Sequence, residues 1–209
     1  MTLWVFGCSA SDRTEVETCY GDFLSKFLNL DYQHHARGCG SNDRIFRTLP
    51  HLIKNNDITA DDLVIIQYTE ETRTEFYSNI VTDLPLRDAY DNGQILRYKA
   101  NSHTWQPNQP ERKFFRMYEK YFLDDSFCNE KFAANNFMLQ CTMYANKINA
   151  WFLNIHGYTP PSFETIPAFE SKCIPVSKQE CEEMFFDGGH FHVHGHKKIA
   201  KKIQNMVDI

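Results

Sequence analysis

The hydrophobic pattern opens with a short apolar run, Leu3 to Phe6, that stops at Gly7. Such a run closed by glycine predicts a buried strand and then a sharp turn. Cys8, Ser9, Ser11 and Asp12 follow, and Asp12 with Glu15 has the spacing of a helix capping box. From Thr14 to Leu28, the residues Val16, Cys19, Tyr20, Phe23, Phe27 and Leu28 recur at helical spacing. Tyr32 to Ala36 reads as a short polar strand, and Arg37 to Asp43 as a glycine-bearing turn. A second helix starts near Ser41 or Asn42 and runs through Ile45, Phe46 and Leu49, with Pro50 kinking or restarting it. Asp61 to Tyr68 holds the clearest strand, because Leu63 to Ile66 is apolar and rich in β-branched residues. Strands covered by helices on both faces have that composition.

Between Thr69 and Pro110 the pattern loosens and reads as an insert at about residues 70–110, with a candidate hairpin turn at Asn92-Gly93. Periodicity returns from Glu111 to Leu123 and from Asn129 to Ile155, both read as helical. Phe114, Tyr118, Tyr121 and Phe122 form one expected core stripe; Phe137, Cys141, Tyr144, Ile148, Trp151 and Phe152 form another. Gly157 and Pro160-Pro161 end that helix, Phe163 to Ile166 and Lys172 to Val176 are weaker strands, and a last helix begins near Val193.

Alternating strands and helices predict a parallel sheet with right-handed crossovers, in one domain spanning residues 1–209. Ligands of such sheets bind beyond the carboxyl ends of the strands. Three turns then converge on one edge: Ser9 after the first strand, Gly38, Gly40 and Asn42 after the second, Gln67 and Thr69 after the third.

Composition narrows the partners. The chain has 209 residues and a net charge of −5, which argues against a nucleic-acid surface. No stretch has the roughly 20 apolar residues of a membrane helix, and no secretory signal is visible. Its seven cysteines form no CxxC pair, as expected for free thiols in a reducing cytoplasm.

The candidate chemistry lies at the two ends. Ser9, beyond a strand and under backbone N–H groups, is placed as a nucleophile, an anion ligand or an ordinary turn residue. Asp187 and His190 are close enough in sequence for the carboxylate to orient the imidazole toward a nucleophile from another loop.

Together, Gly7-Cys8-Ser9, Gly38-Cys39-Gly40-Ser41-Asn42-Asp43, Gln67-Tyr68-Thr69-Glu70 and Asp187-Gly188-Gly189-His190 resemble the four blocks of the SGNH/GDSL hydrolase family. Their wording is similar to that of bacteriophage-encoded members. The first block has Cys8 for the family's aspartate, and Thr69 stands where the family has asparagine. The resemblance implies a three-layer α/β/α flavodoxin-like fold with a central parallel sheet. It also implies a cofactor-free serine esterase with Ser9 as nucleophile, His190 as base and Asp187 orienting it. Ser9 and Gly40 would supply N–H groups to the oxyanion hole, and Thr69, Asn42 or Gln67 a side-chain donor. The expected substrate is a small acyl ester, such as an acetylated carbohydrate.

Two other readings compete. His190, His192, His194 and His196 alternate, and on a strand they would share a face able to bind zinc. Alternatively, the Thr69 change leaves a non-catalytic binding module on the same fold. Arg73 and Glu75 would meet an anionic substrate or pair with each other.

Overall fold

The computed structural model describes residues 1–13, 16–38, 40–77, 95–98, 111–185 and 190–207. Seven strands occur among them: β1 (Thr2–Gly7), β2 (Asp31–Ala36), β3 (Leu63–Ile66), β4 (Thr74–Tyr77), β5 (Ile95–Tyr98), β6 (Asn149–Ile155) and β7 (Cys173–Val176). The helices are α1 (Tyr20–Leu28), α2 (Asn42–Lys54), α3 (Glu111–Tyr121), α4 (Asp125–Ala145), α5 (Lys178–Met184) and α6 (Val193–Met206).

Five strands form one sheet in the order β2-β1-β3-β6-β7, and every pair in it is parallel. Side chains alternate across the pleat and divide the core in two. Leu3, Val5, Leu63, Ile65, Leu153 and Ile174 pack on one face with Tyr20, Leu24, Cys181, Ile199 and Ile203 from α1, α5 and α6. Trp4, Phe6, Val64, Ile66 and Phe152 pack on the other with Ile45, Leu49, Phe132, Leu139 and Met143 from α2 and α4. The result is the expected α/β/α sandwich. Fully burying each such Leu or Ile stabilises it by about 1.5–3 kcal/mol. Because β1 connects to β2 on one side and then to β3 on the other, the chain reverses direction beside β1. The crevice over the carboxyl ends of β1 and β3 is therefore the topological switch point.

Several local expectations need correction. Helix α1 begins at Tyr20, not Thr14, and its capping box is made by Cys19 and Asp22. Glu15 lies outside the described residues, and Asp12 is engaged elsewhere. Helix α2 runs through Pro50 to Lys54 without restarting. Asn149–Ile155 is a central strand, not the end of a helix: α4 stops at Ala145 and the chain turns through Lys147 at a left-handed φ of 56°. Its continuous apolar run, from Ala150 to Leu153, fits a strand buried on both faces.

Phe163 to Ile166 forms no strand. Its polar backbone is satisfied by α4 instead: Asn136 and Gln140 donate to Glu164 O, and Gln140 accepts from Ile166 N. This explains a second correction. The inward side of α4 carries Asn136 and Gln140 among Cys128, Phe132, Leu139 and Met143, whereas Phe137 and Tyr144 are exposed. Tyr121 and Phe122 are exposed too.

Strands β4 and β5 pair antiparallel as a separate sheet. Asn92 and Gly93, the candidate hairpin turn of the insert, lie outside the described residues. Asp43 at the start of α2 holds β4 through Thr74 and reaches Lys131 of α4. Arg73 pairs with Glu70, and Glu75 with Arg47, so Arg73 and Glu75 do not pair with each other. Among the described residues, the six cysteines are free thiols and no helix is long and apolar enough to cross a membrane.

Candidate active site

Strand β1 ends at Gly7 because the backbone must pass close under the next turn. A Cβ on Gly7 would fall 2.6 Å from Ser11 Oγ, leaving room only for glycine. Ser9, Ala10 and Ser11 then form one 3-10 turn. Ser9 is almost buried, at 8 % exposure. Ser11 is fully enclosed, with its hydroxyl 3.0 Å from both Tyr20 Oη and Gln67 Oε1.

Gln67 organises this turn. Its Oε1 accepts from Cys8 N at 3.3 Å, from the Cys8 thiol at 3.3 Å and from the Ser11 hydroxyl. Its Nε2 donates to Tyr68 O. Asn42 is committed in a similar way: Oδ1 accepts from Thr69 N at 2.9 Å and Nδ2 donates to Thr69 O at 2.7 Å. The two amides thus fix the backbone on either side of the crevice. The Thr69 hydroxyl, by contrast, is buried and without a hydrogen-bond partner among the described residues.

The loop after β2 is tied to the same place. Arg37 N donates to Gly7 O, and Gly40 N donates to Arg37 O at 2.9 Å. A Cβ on Gly40 would stand 2.9 Å from Arg37 O and 3.3 Å from Gly7 O. Asp12, which sequence reading took for a helix cap, is the clasp. Its Oδ1 lies 2.8 Å from His34 Nε2, and its Oδ2 accepts from Gly38 N at 2.6 Å. Burial alone would raise the Asp12 carboxyl, but the bonds from His34, Arg13 N and Gly38 N hold it at about 2. Burial alone would lower His34, but the Asp12 bond lifts it to about 9. In the sequence Asp12 stood out only as a candidate helix cap, and His34 not at all. The only available signal was a histidine on a polar strand.

The histidine-rich end divides by role. His192 caps α6, accepting from Gly195 N at Nδ1. His194 is exposed in the first turn of that helix. His196 is buried and accepts from Tyr20 N at 3.1 Å. The repeat therefore lies across a helix start rather than along a strand: the His192 and His194 rings stack on each other with centroids 6.0 Å apart, while His196 is turned into the core. Among the described residues no set of three His, Cys, Asp or Glu is grouped to hold a metal ion.

Asp187 lies outside the described residues. His190 is half-buried, next to Phe191, which forms an antiparallel bridge with Phe185. Its charge is felt by His196, which bonds Tyr20, whose hydroxyl bonds Ser11. His190 and the Ser9–Ser11 turn are thereby linked through His196 and Tyr20.

The sequence matches no protein-family model and no curated protein sequence. Solved structures do resemble it. The psychrotrophic esterase EstA from Pseudoalteromonas sp., in a structure inhibited by monoethylphosphonate, has a TM-score of 0.56 at 10% identity, covering 98% of this chain and 95% of that one. The lipase Lip_vut3 from a goat rumen metagenome has a TM-score of 0.50 at 12% identity, covering 99% and 97%. Protein YXIM_BACsu from Bacillus subtilis also reaches 0.50 at 12% identity, covering 98% of this chain but 55% of its own. This chain therefore shares the α/β/α fold of an esterase and a lipase.

Proposed function

We propose that the chain is a serine ester hydrolase of the SGNH/GDSL type, acting as one domain with an insert at about residues 70–110. The observation carrying this reading is the placement of Ser9 and Thr69 just beyond the carboxyl ends of the adjacent strands β1 and β3, at the switch point. Ser9 opens the turn that follows β1, and the unpartnered buried Thr69 hydroxyl follows β3. In the proposed reaction Ser9 Oγ attacks the ester carbonyl and His190 takes its proton. The tetrahedral oxyanion collapses, the C–O bond breaks, and the departing alcohol receives that proton. Water, deprotonated by His190, then cleaves the acyl-enzyme to a carboxylic acid and restores Ser9. Asp187 orients His190. Catalytic hydrogen bonds are often long or poorly aligned before substrate binds and tighten in the complex.

For the oxyanion hole, the reading favours Ser9 N–H and the Thr69 hydroxyl. Asn42 and Gln67 are the alternative donors, but their amides already hold backbone. Gly40 N–H joins only if it leaves Arg37 O. The resemblance supports a small acyl ester, such as an acetylated carbohydrate, as substrate. The committed Gly40 N–H favours a second reading, a binding module on this fold. A fluorophosphonate probe separates the two. It should label wild type and not Ser9→Ala; if wild type stays unlabelled and inert to aryl esters of every acyl length, the binding module replaces the enzyme.

A further inference from the structure

Asp12 joins three pieces of chain that the proposed chemistry needs in register. Its own N–H donates to Ser9 O at 3.3 Å, which closes the nucleophile's turn. Its carboxylate holds Gly38 N at 2.6 Å at the head of the loop carrying Gly40. The same carboxylate meets His34 of β2 at 2.8 Å. His34 is held from behind, with Nδ1 2.6 Å from Tyr32 Oη, and Tyr32 Oη is 3.5 Å from the buried Cys19 thiol that precedes α1. Both members of the pair are mostly enclosed, with side-chain exposures of 13% and 16%. Charge-assisted bonds in such surroundings are short and roughly twice as strong as neutral ones.

We propose that Asp12, locked by His34, is a positioning residue that sets the Gly38–Gly40 loop against the Ser9 turn and so fixes the oxyanion side of the site. The proposal rests on the esterase reading. Asp12 touches no reacting atom. It acts by holding the Ser9 turn, whose N–H faces the developing charge, against the loop whose Gly40 N–H joins when it leaves Arg37 O, and such groups act only in the transition state. Loosening the clasp therefore lowers turnover and leaves ground-state binding alone.

The test is kinetics on an aryl acetate for wild type, Asp12→Asn, Asp12→Ala and His34→Gln, with melting temperature measured for each. Asparagine keeps one acceptor for Gly38 N and loses the charge. We expect kcat to fall in the order wild type, Asp12→Asn, Asp12→Ala, by at least about tenfold for the last, with KM within about twofold. His34→Gln leaves the Gly38 contact in place and lowers kcat several-fold; it also serves if Asp12→Ala does not fold. A folded Asp12→Ala with wild-type kcat, or a loss confined to KM, overturns the proposal. Backbone amide exchange separates this from failure of the esterase reading. If wild type hydrolyses no ester, Asp12→Asn must still speed exchange in the Ser9 turn and the Gly38–Gly40 loop together. Unchanged exchange there refutes the clasp independently of the chemistry.

Discussion

The backbone N–H of Tyr20 donates to Nδ1 of His196 at 3.1 Å, so a histidine of the last helix caps the first. Tyr20 and His196 are also stacked, with ring centroids 6.3 Å apart, and Phe191 meets the imidazole edge-on at 5.3 Å. Only the imidazole with a bare Nδ1 can accept that bond. The histidine is thus kept neutral by its surroundings, chiefly burial, which lowers it to about 4.

Acid stability follows from that pair. The folded value lies below the ordinary 6.5, so the unfolded chain takes up the proton first. His196 therefore contributes full stability above pH 6.5 and loses it as pH falls through the window toward 4. The loss is on the order of 3 kcal/mol. Urea unfolding between pH 4 and 7 should show a steeper decline for wild type than for His196→Gln, which keeps an acceptor without titrating. Parallel slopes would remove His196 as the cause.

Three histidines should separate in an NMR titration. His34 is raised to about 9, because its bond to Asp12 outweighs burial. His35, its neighbour on β2, is lowered to about 4 by burial and then by the nearby Arg44 and Arg37 charges. The imidazole signals should therefore show His34 protonated at neutral pH and His35 and His196 neutral. Asp12→Asn should move His34 downward and leave His196 unchanged. The His34–Asp12 pair stabilises the fold fully between pH 3.8 and 6.5; its contribution fades as pH rises through 9 and as pH falls through about 2. An unshifted His34 in the variant would mean that Asp12 does not hold its proton.

Gln67 should matter for stability more than its place beside the site suggests. Replacing it by leucine strands the buried Cys8 N–H and leaves the buried Ser11 hydroxyl only Tyr20 Oη as a partner. Leaving buried donors unpaired costs about 1–3 kcal/mol each. We expect Gln67→Leu to lower the melting temperature by roughly 5–10 °C. A neutral effect would show that water or a shifted turn repairs the loss.

How far the sequence foretold this molecule depended on which signal was local. Leu3–Phe6 and Leu63–Ile66 were legible as buried strands because a short apolar run bounded by turn residues has few other uses. Strand β6 was not legible. Ile148, Trp151 and Phe152 continue the helical rhythm of α4, and only the left-handed turn at Lys147 breaks it. The buried side of α4 was misread for a related reason: Asn136 and Gln140 face inward to satisfy backbone contributed by residues 164–166, a contact no periodicity encodes. Around the candidate site, the positions of Ser9, Asn42 and Thr69 at strand ends were readable from turn residues. The clasp of Asp12 on Gly38 and His34 was not, because it joins segments separated by more than 20 residues.

The last prediction concerns Thr69, whose buried hydroxyl is without a partner among the described residues. A buried polar group left unpaired costs stability, so its persistence asks for a compensating use. The Asn42 amide grips both the N–H and the carbonyl of Thr69, which fixes the backbone but leaves the hydroxyl unsatisfied. If that hydroxyl donates to the oxyanion, Thr69→Val removes the donor and keeps the shape. Turnover should then fall at least tenfold, and up to the hundred- to thousandfold (about 2.7–4 kcal/mol) typical of a lost oxyanion donor. The Michaelis constant should hardly move, because the bond strengthens only in the transition state. The same variant should be as stable as wild type or slightly more so, since it removes an unsatisfied buried hydroxyl. Asn42→Ala should do the opposite, losing stability and turnover together as the Thr69 backbone loosens. A Thr69→Val enzyme with full turnover, beside a crippled but folded Gln67→Ala or Asn42→Ala, would assign the donor to an amide instead.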